Sequence, residues 1–101
     1  MNQYELIHKI AKKQSFMSNA DVEVVVKKIV AYIIDALGRG ERVEIRGFGN
    51  FSLHYRREIK GRNPRTGEKI TIKSRHVVHF KTGIDLKNRV KESASFYTIK
   101  P

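Results

Sequence analysis

Residues 56–75, RREIKGRNPRTGEKITIKSR, decide how the fold of this chain is interpreted. Eight of these residues are Lys or Arg and two are Glu, and at both ends of the segment charged residues tend to alternate with other types. Alternation of this kind is typical of a β-strand, whereas the middle, GRNPRTG at 61–67, is dense in turn-forming residues. We therefore predict a long two-stranded β-ribbon arm over about 56–75.

The segments on either side of the arm are predicted to form a sheet. Hydrophobic and polar residues alternate over 43–46 and again over 51–55, and the glycines of GFG at 47–49 suit a tight reversal between these two strands. After the arm, VVHF at 77–80 indicates a short strand that returns the chain to the body. We expect a three-stranded antiparallel sheet, shaped as a saddle, from which the arm extends.

Helical spacing of apolar residues predicts a first helix over about 3–14. Ser18 has the position of an N-cap for a second helix, which is expected to end after Leu37, where Gly38 and Gly40 supply a left-handed cap. Apolar residues of this second helix form a stripe too broad to be covered by one short helix: Val22, Val25, Val26, Ile29, Val30, Ile33, Ile34 and Leu37. The sequence therefore predicts a dimer interface here.

A last, short helix is predicted to open at Thr82-Gly83. The complete prediction is an α+β fold with a helical dimerisation base, the three-stranded sheet with its long arm, and a short C-terminal helix. We expect one folded domain over residues 1–92 and a C-terminal tail over 93–101, whose apolar residues show no clear period.

Composition points to a polyanionic partner. Among 101 residues there are 21 Lys or Arg against 10 Asp or Glu, a net charge of +11, while 40% of the residues are hydrophobic, as in a folded protein. Cysteine is absent, which excludes disulfides and thiolate chemistry. No stretch resembles a signal peptide or a membrane span, so we expect the protein in the cytoplasm.

Enzymatic and metal-binding functions are not predicted. The four histidines include His76 and His79, which would point to opposite faces of one strand, and no carboxylate cluster accompanies them. A nuclease would need grouped acidic ligands for a metal ion, yet the acidic residues are scattered along the chain. No cofactor is expected.

The arm itself indicates double-stranded DNA. A cationic ribbon can lie between the two phosphate-lined walls of a minor groove, where readout of sequence is poor. Pro64, at the tip, could be a plain turn proline or an apolar wedge that unstacks two base pairs and kinks the duplex. An RNA-binding or ribosomal protein is the alternative from charge alone, but the wide minor groove of A-form RNA suits such a wedge poorly.

Four motifs resemble the integration host factor/HU family of bacterial nucleoid proteins: GFGNF at 47–51, HYR at 54–56, GRNPRTGE at 61–68 and VVHFKTGIDLKNRV at 77–90. The resemblance extends from Tyr4 to about Val90 and implies an intertwined dimer that binds and bends DNA. Residues 41–56 are most similar to the beta-type chains of integration host factor. Such a chain would pair with an alpha-like paralogue, whereas an HU-like chain would pair with itself and show little sequence preference.

The resemblance also assigns roles to residues. Pro64 matches the intercalating proline, and Glu44 with Arg46 matches a pair that reads part of a preferred site. The complete set of predicted DNA-binding residues joins these three to the basic and tip positions Arg56, Lys60, Arg62, Asn63, Arg65, Lys69, Lys73, Arg75, Lys81 and Lys87. Two departures stand out: Thr82-Gly83 replaces the family's common Pro-Gly, and the tail after Val90 has no counterpart.

Overall fold

The computed structural model describes residues 1–100 and confirms the α+β class, with three helices and five strands over that range. The helices are α1 (Gln3–Lys13), α2 (Asn19–Gly38) and α3 (Ile84–Ser93). The strands are β1 (Val43–Ile45), β2 (Gly49–Arg56), β3 (Ile59–Arg62), β4 (Lys69–Ile72) and β5 (Arg75–Thr82). Contacts divide the chain into two compact units, Met1–Ala36 and a second unit that starts at Leu37.

The first unit is a pair of helices whose ends are fixed by side-chain caps. Asn2 Oδ1 accepts a hydrogen bond from Glu5 N at 2.8 Å at the start of α1. Helix α1 ends at Lys13, one residue before the predicted end, because Gln14 adopts an extended conformation and its side chain bonds the connecting segment. Ser18 Oγ accepts from Asp21 N at 3.2 Å, which confirms the predicted N-cap of α2.

The core of this unit is small. Ile7 of α1 packs against Val22 and Val26 of α2, and these three are its buried hydrophobic residues. Most other apolar residues of α2 remain exposed to solvent: Val24, Val25, Ile29, Val30, Tyr32 and Ile34. Helix α2 includes Gly38, one residue beyond the predicted end, and of the two glycines of the predicted cap only Gly40 takes the left-handed conformation, with φ +81°.

The second unit contains the predicted three-stranded antiparallel sheet, in the order β1-β2-β5. The predicted short strand at 77–80 is wrong in length: β5 has eight residues, because every residue of β2 pairs with one of β5, from Gly49 with Thr82 to Arg56 with Arg75. A local sequence pattern cannot predict this pairing, because it joins segments that are distant in the sequence.

Phenylalanine packing covers the apolar side of the sheet near its base. The rings of Phe51 and Phe80 lie 4.8 Å apart between centroids, and those of Phe48 and Phe80 lie 5.2 Å apart. A Cβ on the neighbouring Gly49 would lie 2.5 Å from the Phe80 ring, so no larger residue fits without displacement. These phenylalanines therefore pack against one another, while Phe48 keeps 44% and Phe80 37% of its surface exposed.

Helix α3 is anchored to the reversal between β1 and β2. Gly83 N donates to Phe48 O at 2.8 Å, and Leu86 N donates to Gly47 O at 3.2 Å. The helix starts at Ile84, just after the predicted opening, and runs through Ser93, one residue into the predicted tail. A turn follows in which Tyr97 N donates to Ser93 O at 2.9 Å. The predicted tail reaches residue 101, which lies outside the described residues, and the division at 92 stays a prediction.

Candidate nucleic-acid interface

The arm is a separate two-stranded antiparallel sheet formed by β3 and β4. Ile59 pairs with Ile72, Lys60 with Thr71, Gly61 with Ile70 and Arg62 with Lys69. The predicted ribbon over 56–75 is therefore interrupted at residues 57–58 and 73–74, which lie outside any strand. The breaks separate the arm from the base strands β2 and β5, and Lys73 lies in one of them.

The tip of the arm is held in one conformation by its own hydrogen bonds. Asn63 N donates to Glu68 O and Gly67 N donates to Asn63 O, both at 2.8 Å. Asn63 Oδ1 also accepts from Arg65 N at 2.9 Å, and Gly67 takes the left-handed conformation, with φ +71°. Pro64 and Arg65 are exposed within this turn. Asn63, predicted to contact DNA, thus also uses its side-chain oxygen to shape the tip.

Within the part of the chain that the structure describes, the cations of the arm form no ion pair with a carboxylate. Over residues 1–100 the ion pairs are Lys27 with Glu23 and Arg39 with Glu41, and all four residues lie outside 56–75. Arg56 and Arg75 face each other directly across β2 and β5, a like-charge pair that disfavours the isolated sheet. An anion placed between them would relieve this repulsion.

The pairing of β1, β2 and β5 also defines a polar face of the sheet. Glu44 pairs with Asn50, and Asn50 with Lys81, so these three residues form a row on the side opposite Phe51 and Phe80. In the amide orientation that satisfies both groups, Asn50 accepts a hydrogen bond from Arg42 Nη2 at 3.0 Å. The same face continues along β2 and β5 as far as Arg56 and Arg75, beyond which the chain enters the arm.

Two histidines lie on this polar face. The rings of His54 and His79 stack with centroids 4.2 Å apart and planes inclined by 16°, while His76 contacts Tyr55 on the other face. The prediction that His76 and His79 point to opposite faces is confirmed. Within residues 1–100 no group of three or more potential metal ligands is present.

Sequence reasoning missed Arg42, Asn50, His54 and His79 as members of this face. The period of two was visible in each strand, but the alignment of β2 on β5 was not, and this register brings Asn50, His54 and His79 to the face of Glu44 and Lys81. Arg42 precedes β1 and joins the face through its bond to Asn50. The structure thus places these residues on the same polar face as Glu44 and Lys81, which the sequence had already singled out.

The predicted reading pair lies at the end of the sheet that is remote from the arm. Glu44 belongs to β1, and Arg46 is exposed in the reversal that follows. That reversal is fixed by the bond from Leu86 N to Gly47 O at 3.2 Å. Lys81 at the end of β5 and Lys87 in α3 belong to the same end of the unit, whereas Arg62 and Arg65 lie at the arm tip. The predicted residues therefore form two groups rather than one cluster.

Residues 1–91 match the family model described as bacterial DNA-binding protein, and the chain belongs to this family. Integration host factor subunit beta of Saccharophagus degradans is 50% identical over 93 residues, which are 92% of this chain and 95% of that protein. The same subunit of Colwellia psychrerythraea is 47% identical over 95 residues, 94% of this chain and 100% of that protein. The resemblance to beta-type chains is confirmed.

Solved structures support the same assignment. HU of Anabaena, in a cocrystal with DNA, superposes with a TM-score of 0.82 at 31% identity, over 89% of this chain and 97% of that one. HU of Thermotoga maritima gives a TM-score of 0.62 at 32% identity, over 89% of this chain and 98% of that one. Membership in a family of DNA-binding proteins confirms the prediction that the chain is not an enzyme. Across residues 1–100, no helix combines the length and apolar character that crossing a membrane requires.

Proposed function

We propose that this chain is one subunit of a dimeric architectural protein that binds double-stranded DNA through the minor groove and bends it. The observation that carries the proposal is the arm, a ribbon whose basic residues form no ion pair with a carboxylate among residues 1–100 and whose ordered tip presents an exposed proline. The DNA-bound HU of Anabaena supports duplex DNA as the ligand. The site of action would be the bacterial nucleoid, in recombination, transcription and translation control.

Electrostatics supplies affinity in this proposal. Each Lys or Arg that reaches a phosphate releases condensed counterions, so affinity falls linearly on logarithmic axes as salt rises. Cations that already have carboxylate partners gain less from a phosphate than unpaired ones. The arm cations and the Arg56–Arg75 pair are therefore the principal phosphate contacts, with Lys73, Lys81 and Lys87 along the flanks.

The experiment that tests this role is the salt dependence of duplex binding. Neutralising the cross-strand pair Arg62 and Lys69 to glutamine should reduce the slope of log affinity against log salt by about 2, or about 0.9 for each lost phosphate contact. Lys27→Gln is the matched control, because Lys27 already pairs with Glu23 at 2.7 Å. An unchanged slope in the double variant would contradict phosphate binding by the arm.

Sequence preference is assigned to Arg46 and Glu44. Arg46 is exposed in a reversal that α3 holds in place, a rigid setting suited to a directed contact. We expect Arg46→Ala to lower the discrimination between a preferred and an unrelated duplex by about 1–3 kcal/mol while changing non-specific affinity little. Competition binding with both duplexes measures this, and an equal loss of affinity on both would assign Arg46 to phosphate contact instead.

Dimerisation is proposed because much of the apolar stripe of α2, including Val25, Ile29 and Ile34, is exposed in the single chain. The relatives named as integration host factor subunit beta favour a paralogous alpha-like subunit as the partner. Self-pairing, with HU-like binding of little sequence preference, is the second candidate, which the structural likeness to HU favours. Sedimentation of the purified chain, alone and mixed with an alpha-like subunit, distinguishes the two.

A further inference from the structure

The arm has two chemically different faces, because residues paired across an antiparallel ribbon point to the same side. Ile59, Gly61, Ile70 and Ile72 lie on one side, which we call the isoleucine face. Lys60, Arg62, Lys69 and Thr71 lie on the other, which we call the basic face.

The isoleucine face exposes apolar surface to water. Ile59 retains 50% of its accessible surface, and Ile70 and Ile72 each retain 41%. Exposed apolar area costs roughly 25 cal/mol for each Å² that could be buried, so a ribbon with three such residues gains by meeting another surface. Long basic side chains do not need to face their ligand directly, since their flexible stems let the charged ends reach around an edge.

At the centre of the isoleucine face, Gly61 has no side chain, so the backbone is uncovered there. Its φ is not positive, and a Cβ built there would meet no atom within 4 Å, so the fold itself does not require glycine. A glycine inside a strand also weakens the strand by about 0.5–1 kcal/mol relative to alanine. Glycine in such a place is typical of a site where a ligand approaches the backbone closely.

We propose that the isoleucine face, and not the basic face, lies toward the floor of the minor groove, with Gly61 at the point of closest approach. This orientation rests on the proposed function. The groove is only about 6 Å wide and 7.5 Å deep, and its walls are lined by sugar C–H groups, which match an apolar ribbon surface. Lys60, Arg62 and Lys69 then reach outward from the basic face to the phosphates at the rim.

The reverse orientation is less favourable on two grounds. The three long cationic side chains would lie beneath the ribbon and hold its backbone away from the groove floor. The three isoleucines would stay in water, and the gap at Gly61 would have no occupant.

Valine substitutions on the two faces form a matched pair for the test. Gly61→Val and Thr71→Val, made in the full chain, both place a strand-favouring residue in neighbouring rows of the same ribbon. Circular dichroism and thermal unfolding check that both remain folded, and Gly61→Ala provides a smaller step. Affinity for duplex DNA and the bend angle are then measured for each variant and for the wild type.

We expect Gly61→Val to weaken duplex binding roughly tenfold or more and to reduce the bend, because the added side chain holds the ribbon off the groove. Gly61→Ala should show the same effect in smaller degree, and Thr71→Val should stay within about twofold of the wild type, because both residues are β-branched and the side chain lies on the outer face. Loss in Thr71→Val with normal binding by Gly61→Val would overturn the orientation, as would wild-type behaviour of all the variants. A wild-type chain that does not bind duplex DNA would instead overturn the proposed function.

Discussion

Replacing Pro64 with alanine is expected to remove most of the DNA bend while leaving affinity within about tenfold of the wild type. The proline is exposed at the apex of a turn that is closed by backbone bonds of Asn63, and these bonds do not involve the proline ring. The substitution therefore removes the apolar wedge, while the hydrogen bonds that hold the turn remain. Inserting the wedge costs a few kcal/mol of base unstacking, and the bend that results permits further contacts between protein and DNA. The alanine variant loses both, so the two effects on affinity partly cancel.

Energy transfer between the labelled ends of a duplex measures the bend, and titration of the same duplex measures affinity. Arg65→Gln is the complementary control, because it removes a charge beside Pro64 and should lower affinity while preserving the bend. A duplex with a mismatch at the kink should recover part of the bend with Pro64→Ala, since its base step is already weakened. A normal bend with the alanine variant on intact DNA would assign Pro64 to the turn alone.

Introducing a charge into the apolar stripe of α2 is expected to abolish dimerisation. Ile29 is 53% exposed beside the residues that contact α1, and it lies in the broad stripe of this helix. A lysine there would be buried without a partner in the dimer, which the burial penalty disfavours strongly. Because both arms then act as separate weak binders, we expect duplex affinity to fall by roughly a hundredfold or more.

Val24→Lys is the matched control for this substitution. Val24 is also a β-branched residue of α2 with 53% exposure, but it lies on the opposite side of the helix from the stripe. Sedimentation across a range of concentrations should show a dimer for the wild type and for Val24→Lys, and a monomer for Ile29→Lys. The melting temperature of the two dimeric forms should rise with protein concentration. A wild type that sediments as a monomer and melts independently of concentration would contradict the dimer interface.

The sequence predicted the arm, the sheet and the helices because each depends on short-range patterns. The turn residues of GRNPRTG, the period of two around Phe51 and the N-cap at Ser18 all act within a few residues of where they stand. Errors of one residue at Gln14 and Gly38 reflect how the chain leaves each helix, since Gln14 becomes extended while Gly38 stays helical.

What the sequence did not predict depends on pairing between distant segments. The full length of β5 follows from its alignment on all of β2, and the same alignment stacks His54 on His79. The two faces of the arm, and the empty space beside Gly61, likewise appear only when β3 is placed in register with β4. The list of basic residues was visible from the start, but their lack of acidic partners needed the folded chain.

The most direct test of the central claim is the change in energy transfer across an end-labelled duplex when the purified chain is added, alone and with an alpha-like subunit, at several salt concentrations. We expect end-to-end transfer to rise on binding and the midpoint of binding to shift steeply to higher protein concentration as salt increases. Binding without a rise in transfer would show that the protein coats DNA without bending it. Binding that is insensitive to salt would contradict the role of the cationic arm.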